Sequence, residues 1–277
     1  MHVVRIGGVS YLNARPLVHG LEASGEHRLS LDTPGPLSDK LRLGEIDVGL
    51  LPAVEFLRGV GETILPGICI ASDGPVQTVK LFSRVPLANL GRVAVDSGSR
   101  TSVALLRILL AERYGVMPDF HTFRPDLAEM LRTHDAALLI GDAAFTAAQV
   151  PHVWDLGQGW QELTDLPFVY AVWILGRGVE AQRIATLLGA AMQSGMQHLD
   201  EIAADAAQRL GKDEEMLRRY LRENLRYTLG ERELRGLETF QKFCLRYNIV
   251  SRARPLLLAG AAPSVAAASH PASAATP

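Results

Sequence analysis

Ser10-Tyr11-Leu12-Asn13-Ala14-Arg15-Pro16 lies between the β-rich run Val3-Val4-Arg5-Ile6-Gly7-Gly8-Val9 and Pro16-Leu17-Val18-His19-Gly20-Leu21. The first run predicts a strand that can end in a glycine-assisted turn. The second predicts a helix opened by proline and stopped by glycine. The seven residues therefore stand where a strand's carboxyl end meets a helix's amino end. In α/β sheets that edge receives small ligands, and the backbone N–H groups of the helix start favour an anion. Ser10 supplies a hydroxyl, Asn13 an amide that both donates and accepts, and Arg15 a permanent cation. The same pattern also fits a plain turn, with Ser10 or Asn13 as a helix cap and Arg15 solvated.

Related units follow outward along the chain. Glu45-Ile46-Asp47-Val48-Gly49-Leu50-Leu51-Pro52 predicts a buried strand, with Pro52 opening a helix through Leu57. Ile64 to Ile70 is a further strand, running into the polar turn Ala71-Ser72-Asp73-Gly74-Pro75, and Val76 to Arg84 alternates as a long strand. Val93-Ala94-Val95-Asp96 repeats the opening architecture: strand, then the loop Ser97-Gly98-Ser99-Arg100-Thr101-Ser102, then an apolar helix from Val103 to Tyr114. Thr133-His134-Asp135-Ala136-Ala137-Leu138-Leu139 echoes the layout of residues 45–51 and runs on to Gly141 and Asp142. Two such units predict an α/β protein of two related lobes. From Glu180 onward the periodicity is helical. The strand spacing places two crossings between the lobes, near Leu81 to Gly91 and near Leu166 to Ile174. Lobe one would then hold residues 1–85 and 175–258, lobe two residues 86–174, and residues 259–277 would form a disordered Ala/Ser/Pro-rich tail. Two lobes joined by two crossings enclose a cleft, the preferred place for a small-molecule site.

Composition narrows the chemistry. The net charge of −2 gives no field that attracts nucleic acid or an anionic membrane. The amino-terminal residues lack the pattern of a signal peptide, and no apolar run is long enough to span a bilayer, so the expectation is a soluble cytoplasmic protein. Cys69 and Cys244 lie far apart with no CxxC, which excludes a disulfide framework or a zinc ribbon. The eight histidines form no HxxxH or HExxH pattern, so no metal site is expected. No Walker loop, dinucleotide fingerprint or GxSxG elbow is present.

Four loops are expected to converge on the cleft. They carry Ser10, Asn13 and Arg15; Ser72 and Asp73; Ser97, Ser99, Arg100, Thr101 and Ser102; and Gly141 with Asp142. The inventory is hydroxyls, amides and helix-start N–H groups, without a histidine or a pair of glutamates. That favours holding a small carboxylate over conventional acid/base chemistry. The loop at residues 97–102 is the best anion candidate, although it also fits an ordinary cap. Asp142 fits a helix cap equally well.

On SYLNARPL from Ser10, GEIDVGLLP from Gly44, PGICIASDGPV from Pro66, SRTSVALLRILL from Ser99, ALLIGDAA from Ala137 and LPFVYAVW from Leu166, the sequence resembles the chorismate dehydratases of the futalosine route to menaquinone. The resemblance spans roughly Arg5 to Trp173. It implies the two-lobed fold of type II periplasmic binding proteins, a ligand cleft, chorismate as small-molecule substrate, and no cofactor. In that family the substrate's own enolpyruvyl carboxylate has been suggested as the base, assisted by the asparagine of SYLN, which is Asn13 here. Ser72, Ser99, Arg100, Thr101, Ser102, Gly141 and Asp142 would then serve substrate binding. Ser10 would be a weaker contributor, and Arg15 would pair structurally or bind. Two rivals stand beside this reading. One is a non-catalytic binding protein of the same fold. The other is the later enzyme of that route, which forms the dihydroxynaphthoate product and whose proposed base is a histidine; this chain offers Gly141 and Asp142 at the strand end after Leu139.

Overall fold

The computed structural model describes residues 3–21, 25–145 and 149–260. Among them ten strands form two five-stranded sheets. The first contains β1 (Val4–Val9), β2 (His27–Asp32), β3 (Val48–Pro52), β4 (Thr63–Ser72) and β10 (Phe168–Leu175). The second contains β5 (Val79–Ser83), β6 (Arg92–Asp96), β7 (Asp119–Phe123), β8 (Ala136–Ile140) and β9 (His152–Asp155). Their orders are β2-β1-β3-β10-β4 and β7-β6-β8-β5-β9. In each, three strands run parallel and the fourth runs against them: β1 pairs with β2 and β3, and β6 with β7 and β8, in parallel, while β10 and β5 are antiparallel to both neighbours. The echo seen in the sequence is therefore a repeated sheet, in which β6 corresponds to β1 and β8 to β3. Both β3 and β8 are buried along their whole length, which is why they read as unbroken apolar runs.

The crossings lie earlier than the strand spacing suggests. Residues 79–83 fall within the span expected for lobe one, yet β5 pairs with β8 and β9 of the second sheet. Residues 168–174 fall within the span expected for lobe two, yet β10 pairs with β3 and β4 of the first. The chain thus passes between sheets at residues 73–78 and 165–167. Apolar periodicity marks a strand without saying which sheet it joins; the partner strands decide that.

Helices cover the sheets: α1 (Pro34–Arg42), α2 (Ala53–Leu57), α3 (Thr101–Tyr114), α4 (Leu127–Thr133), α5 (Leu156–Thr164), α6 (Ala181–Gln197), α7 (Leu199–Leu210), α8 (Glu214–Arg219) and α9 (Glu231–Arg246). A π-helical turn, Tyr220–Asn224, extends α8. The helix expected at Pro16–Leu21 is instead a 3-10 turn over Leu12–Leu17, with Pro16 inside it. Its bonds are short-range: the Ala14 N–H donates to the Tyr11 carbonyl at 3.1 Å and the Val18 N–H to the Arg15 carbonyl at 3.3 Å. Helix α6 packs directly on this turn. A Cβ on Gly195 would lie 2.0 Å from the Pro16 carbonyl oxygen, so the glycine is the condition for that contact.

The tail also begins later than expected. The Ala259 N–H donates to the Ile64 carbonyl at 2.8 Å, tying this segment to β4. Residues 261–277, most of the expected tail, lie outside the described residues.

Candidate active site

The carboxyl ends of β1 and β3 face those of β6 and β8, and the loops there make reciprocal contacts between the lobes. The Leu12 N–H, after β1, donates to Asp142 Oδ1, after β8, at 2.9 Å. The Val54 N–H, after β3, donates to Thr101 Oγ1, after β6, at 3.2 Å. The repeated sheets thus clasp each other through equivalent loops. Between them lies a cleft with about 530 Å³ of space outside the protein atoms, part of it open to solvent. Its polar lining comes from Tyr11, Asn13, Thr78, Arg100, Thr101, Ser102 and Tyr170. Among the described residues that line it there is no histidine, aspartate or glutamate.

Arg100 immediately precedes α3 and lines the cleft half-buried. No hydrogen bond or ion pair engages its guanidinium among the described residues. Its Nε and one terminal nitrogen lie 3.5 Å from where a Cβ on Gly35 would sit, so it reaches across to the start of α1. Thr101 and Ser102 open α3, whose first N–H groups have no partner within the helix. A guanidinium beside a helix amino end is chemically suited to hold an anion.

Asn13 sits opposite in the 3-10 turn. Its Oδ1 is buried and has no hydrogen-bond partner among the described residues. The tyrosines are phenols that hold their protons. Burial pushes the Tyr11 phenol well up, helped by the negative charges of Asp96 and Asp142. Burial does the same to Tyr170 and Tyr220. They are donors at neutral pH, not bases.

The sequence candidates separate into three groups. Asn13, Arg100, Thr101, Ser102 and Gly141 line the cleft together. Ser72 and Asp142 act one step behind it. The Ser72 hydroxyl is buried, donates to the Gly74 carbonyl at 2.9 Å and lies 3.0 Å from the Tyr170 hydroxyl, so it supports Tyr170 instead of facing the ligand space. Asp142, expected among the binding groups, spends Oδ1 on the Leu12 N–H and approaches Arg209 with Oδ2 at 3.4 Å. Ser10, Ser99 and Arg15 are not among the lining residues. The Ser10 N–H donates to the Asp32 carbonyl at 3.0 Å, Ser99 Oγ is buried away from any partner, and Arg15 lines a separate surface hollow with His19, Glu201, Asp205 and Arg209. Gly141 has a positive φ of 60° and carries the Tyr11 ring against its Cα; a Cβ there would fall 2.6 Å from the ring.

Sequence reasoning missed Tyr11, Thr78, Tyr170 and Tyr220. Tyr11 stood inside the motif, but an aromatic in a turn carries no chemical signature. Thr78 lies in a crossing segment and Tyr220 in the carboxyl-terminal helices, so only the folded chain brings them together. It also passed over Asp96, at the end of β6. Asp96 is 2% exposed, accepts from the Gly98 N–H at 2.9 Å through Oδ1 and leaves Oδ2 without a partner. Burial raises its pKa against the effect of the backbone donors.

Fold and cleft define a two-lobed protein of the periplasmic-binding-protein type. The structure is similar to that of the periplasmic aliphatic sulphonate binding protein of Escherichia coli, with a TM-score of 0.61 at 17% identity, over 92% of this chain and 91% of that one. It is also similar to a crystallised protein of Archaeoglobus fulgidus, with a TM-score of 0.72 at 16% identity, over 90% and 99% of the two chains. These likenesses concern the fold. In sequence, the chain is 34% identical over 255 residues to the chorismate dehydratase of Thermus thermophilus, covering 85% of this chain and 93% of that protein. A family described as menaquinone biosynthesis matches residues 4–246. The chain belongs to that menaquinone biosynthesis family.

Proposed function

We propose that this protein is a chorismate dehydratase, a carbon–oxygen lyase that converts chorismate to 3-[(1-carboxyvinyl)oxy]benzoate and water. One observation carries the reading beyond family membership. Among the described residues, the cleft holds a guanidinium without a hydrogen-bond or ion-pair partner, a helix amino end and the Asn13 amide, and no histidine, aspartate or glutamate lines it to take a proton. That set suits a substrate with two carboxylates that brings its own base.

The chemistry balances without a cofactor. The ring carbon that bears the enolpyruvyl ether loses its proton to the enolpyruvyl carboxylate. The electron pair left behind is conjugated through the ring double bond to the ring carboxylate. Expulsion of the neighbouring hydroxyl then completes the aromatic ring, and the carboxyl group returns its proton to that hydroxyl, forming water. The protein's part is to hold the reacting groups in line and to stabilise the developing charge with donors fixed in advance. Arg100 and the start of α3, with Thr101 and Ser102, anchor the carboxylates. Asn13 orients the reacting groups from the other lobe. Asp142 and Gly141 hold the Tyr11–Asn13 segment in place. A cytoplasmic reaction on a small molecule completes the proposal; among the described residues no helix is long and apolar enough to cross a membrane.

The test is direct. Purified protein and chorismate are followed by liquid chromatography with mass and ultraviolet detection. Loss of one water with an aromatic spectrum, at a rate proportional to protein, is the expected result. Chorismate bound but recovered unchanged would leave a receptor of the same fold, and overturn the enzyme.

A further inference from the structure

Fully ionised chorismate carries a single O–H, the ring hydroxyl that leaves, and one phenol of the cleft has its own hydroxyl unengaged. We propose that Tyr11 is a further catalytic residue, whose hydroxyl donates a hydrogen bond to the departing ring oxygen; this rests on the dehydratase reading above.

Tyr11 precedes the 3-10 turn of lobe one and reaches into the loops of lobe two. Its ring lies on Gly141, after β8, where a Cβ would fall 2.6 Å from the ring carbons nearest the Tyr11 backbone. Its hydroxyl ends against Gly98, after β6, where a Cβ would fall 3.0 Å from the phenol oxygen. All three residues line the cleft. A larger residue in place of either glycine would press on the phenol, so the two loops set its direction. The backbone is held as well: the Tyr11 carbonyl accepts the Ala14 N–H at 3.1 Å, and the next N–H, of Leu12, donates to Asp142 at 2.9 Å.

The Tyr11 hydroxyl makes no hydrogen bond among the described residues. The other hydroxyls of lobe one and the crossing that line the cleft are engaged: Tyr170 lies 3.0 Å from Ser72 Oγ, and Thr78 Oγ1 lies 2.8 Å from the Tyr220 hydroxyl. Asp96 stands beside the phenol, with Oδ1 3.4 Å from the same Cβ position on Gly98, but that oxygen already accepts the Gly98 N–H. Burial, and then the charges of Asp96 and Asp142, raise the pKa of the phenol, so it keeps its proton. The same charges repel a substrate carboxylate from this end of the cleft and admit the neutral ring hydroxyl. The carboxylates go to Arg100 and the start of α3. As the ring C–O bond breaks, its electron pair passes to the departing oxygen, and the phenol stabilises the charge gathering there without giving up its proton. The proton that completes water still comes from the enolpyruvyl carboxyl.

The experiment uses the full chain and two ligands. Chorismate has the ring hydroxyl; the product, 3-[(1-carboxyvinyl)oxy]benzoate, keeps both carboxylates and lacks it. Tyr11→Phe retains the ring on Gly141 and removes the hydroxyl. It should lower kcat about tenfold to a hundredfold, as expected for one hydrogen bond to a charged group, with KM changed less than about threefold. Its affinity for the product, measured by calorimetry, should stay within about twofold of the parent's. Gly98→Ala keeps the phenol and presses a methyl group on its oxygen; it should also lower kcat and leave product affinity unchanged, so the reading does not hang on one variant. Parent kcat in Tyr11→Phe would overturn the proposal. So would a loss of product affinity in either variant as large as its loss of kcat, because it would put a carboxylate at the phenol. A parent protein that forms no product from chorismate would overturn the dehydratase itself.

Discussion

Replacing Asp142 separates a substrate contact from a clasp between lobes. Its Oδ1 accepts the Leu12 N–H at 2.9 Å, one residue before Asn13, from the other half of the molecule. Its side chain is only 16% exposed, while Arg209, its second partner, is 42% exposed. The ion pair with Arg209 is therefore worth at most about 1 kcal/mol. The bond to Leu12 is worth more, because losing it strands a buried donor, at about 1–3 kcal/mol. Asp142→Ala should lower kcat/KM about five- to 150-fold. Asp142→Asn keeps an acceptor oxygen and gives up only the charge, so it should cost about fivefold at most. When the lobes part, water can satisfy the Leu12 N–H, so the rate should suffer more than the melting temperature. Steady-state kinetics with chorismate, beside thermal unfolding of each variant, make the check. An Asn variant as damaged as the Ala variant would show that the carboxylate's charge is what matters, and would refute the clasp.

Three further expectations follow from the same contacts. Arg100→Gln removes the cleft's guanidinium and should lower kcat/KM about tenfold or more, mainly through KM, and chorismate affinity of the parent should weaken with added salt. Asp96→Asn tests a buried carboxyl whose pKa burial raises above the usual carboxylate range. A raised folded-state pKa means that the parent loses stability as pH rises from about the unfolded value of 3.9 through the folded one. The Asn variant keeps the acceptor for the Gly98 N–H and does not titrate, so its stability relative to the parent should grow across that window and then level off in urea titrations at stepped pH. Arg254→Ala removes donations to the carbonyls of Phe56, Val60, Gly61 and Glu62, at 2.6 to 3.3 Å, and a guanidinium stacked 3.8 Å from the Phe56 ring centre. It should cost at least about 2 kcal/mol, or about 4–8 °C in Tm, with kcat unchanged because the contact lies outside the cleft.

What the sequence showed of this molecule follows from the range of the interactions involved. The strand–loop–helix units at Glu45 and Ser97 were legible because apolar runs, proline and glycine act on their own neighbours, whereas after Ser10 the expected helix is a 3-10 turn. The repeat of the two lobes was legible for the same reason: residues 45–51 and 133–139 share a layout set locally. Asn13 and the Arg100–Ser102 segment were legible as groups lining the cleft because each lies in a loop at a strand's carboxyl end. Asp142 was read as a binding group, but its bond to Leu12 was not legible, since the two lie 130 residues apart in the chain. Tyr220 carried no signal at all: its hydroxyl meets Thr78 across 142 residues of chain. Ser72 was expected among the binding groups; its hydroxyl lies 3.0 Å from that of Tyr170, which a strand pairing brings beside it, and it is not among the residues lining the cleft. The sheet to which β5 belongs was likewise decided by β8 and β9, not by its own alternation.

The central claim is that the cleft supplies no base and the substrate does. The most direct measurement compares chorismate with its analogue in which the enolpyruvyl carboxylate is converted to the neutral amide. Binding of both is measured by calorimetry and product formation by single-turnover chromatography. If the substrate carboxylate takes the proton, the amide binds but its conversion falls by about 10²–10⁴, the usual worth of a general base. Conversion of the bound amide at a rate near that of chorismate would place the base on the protein and contradict the account.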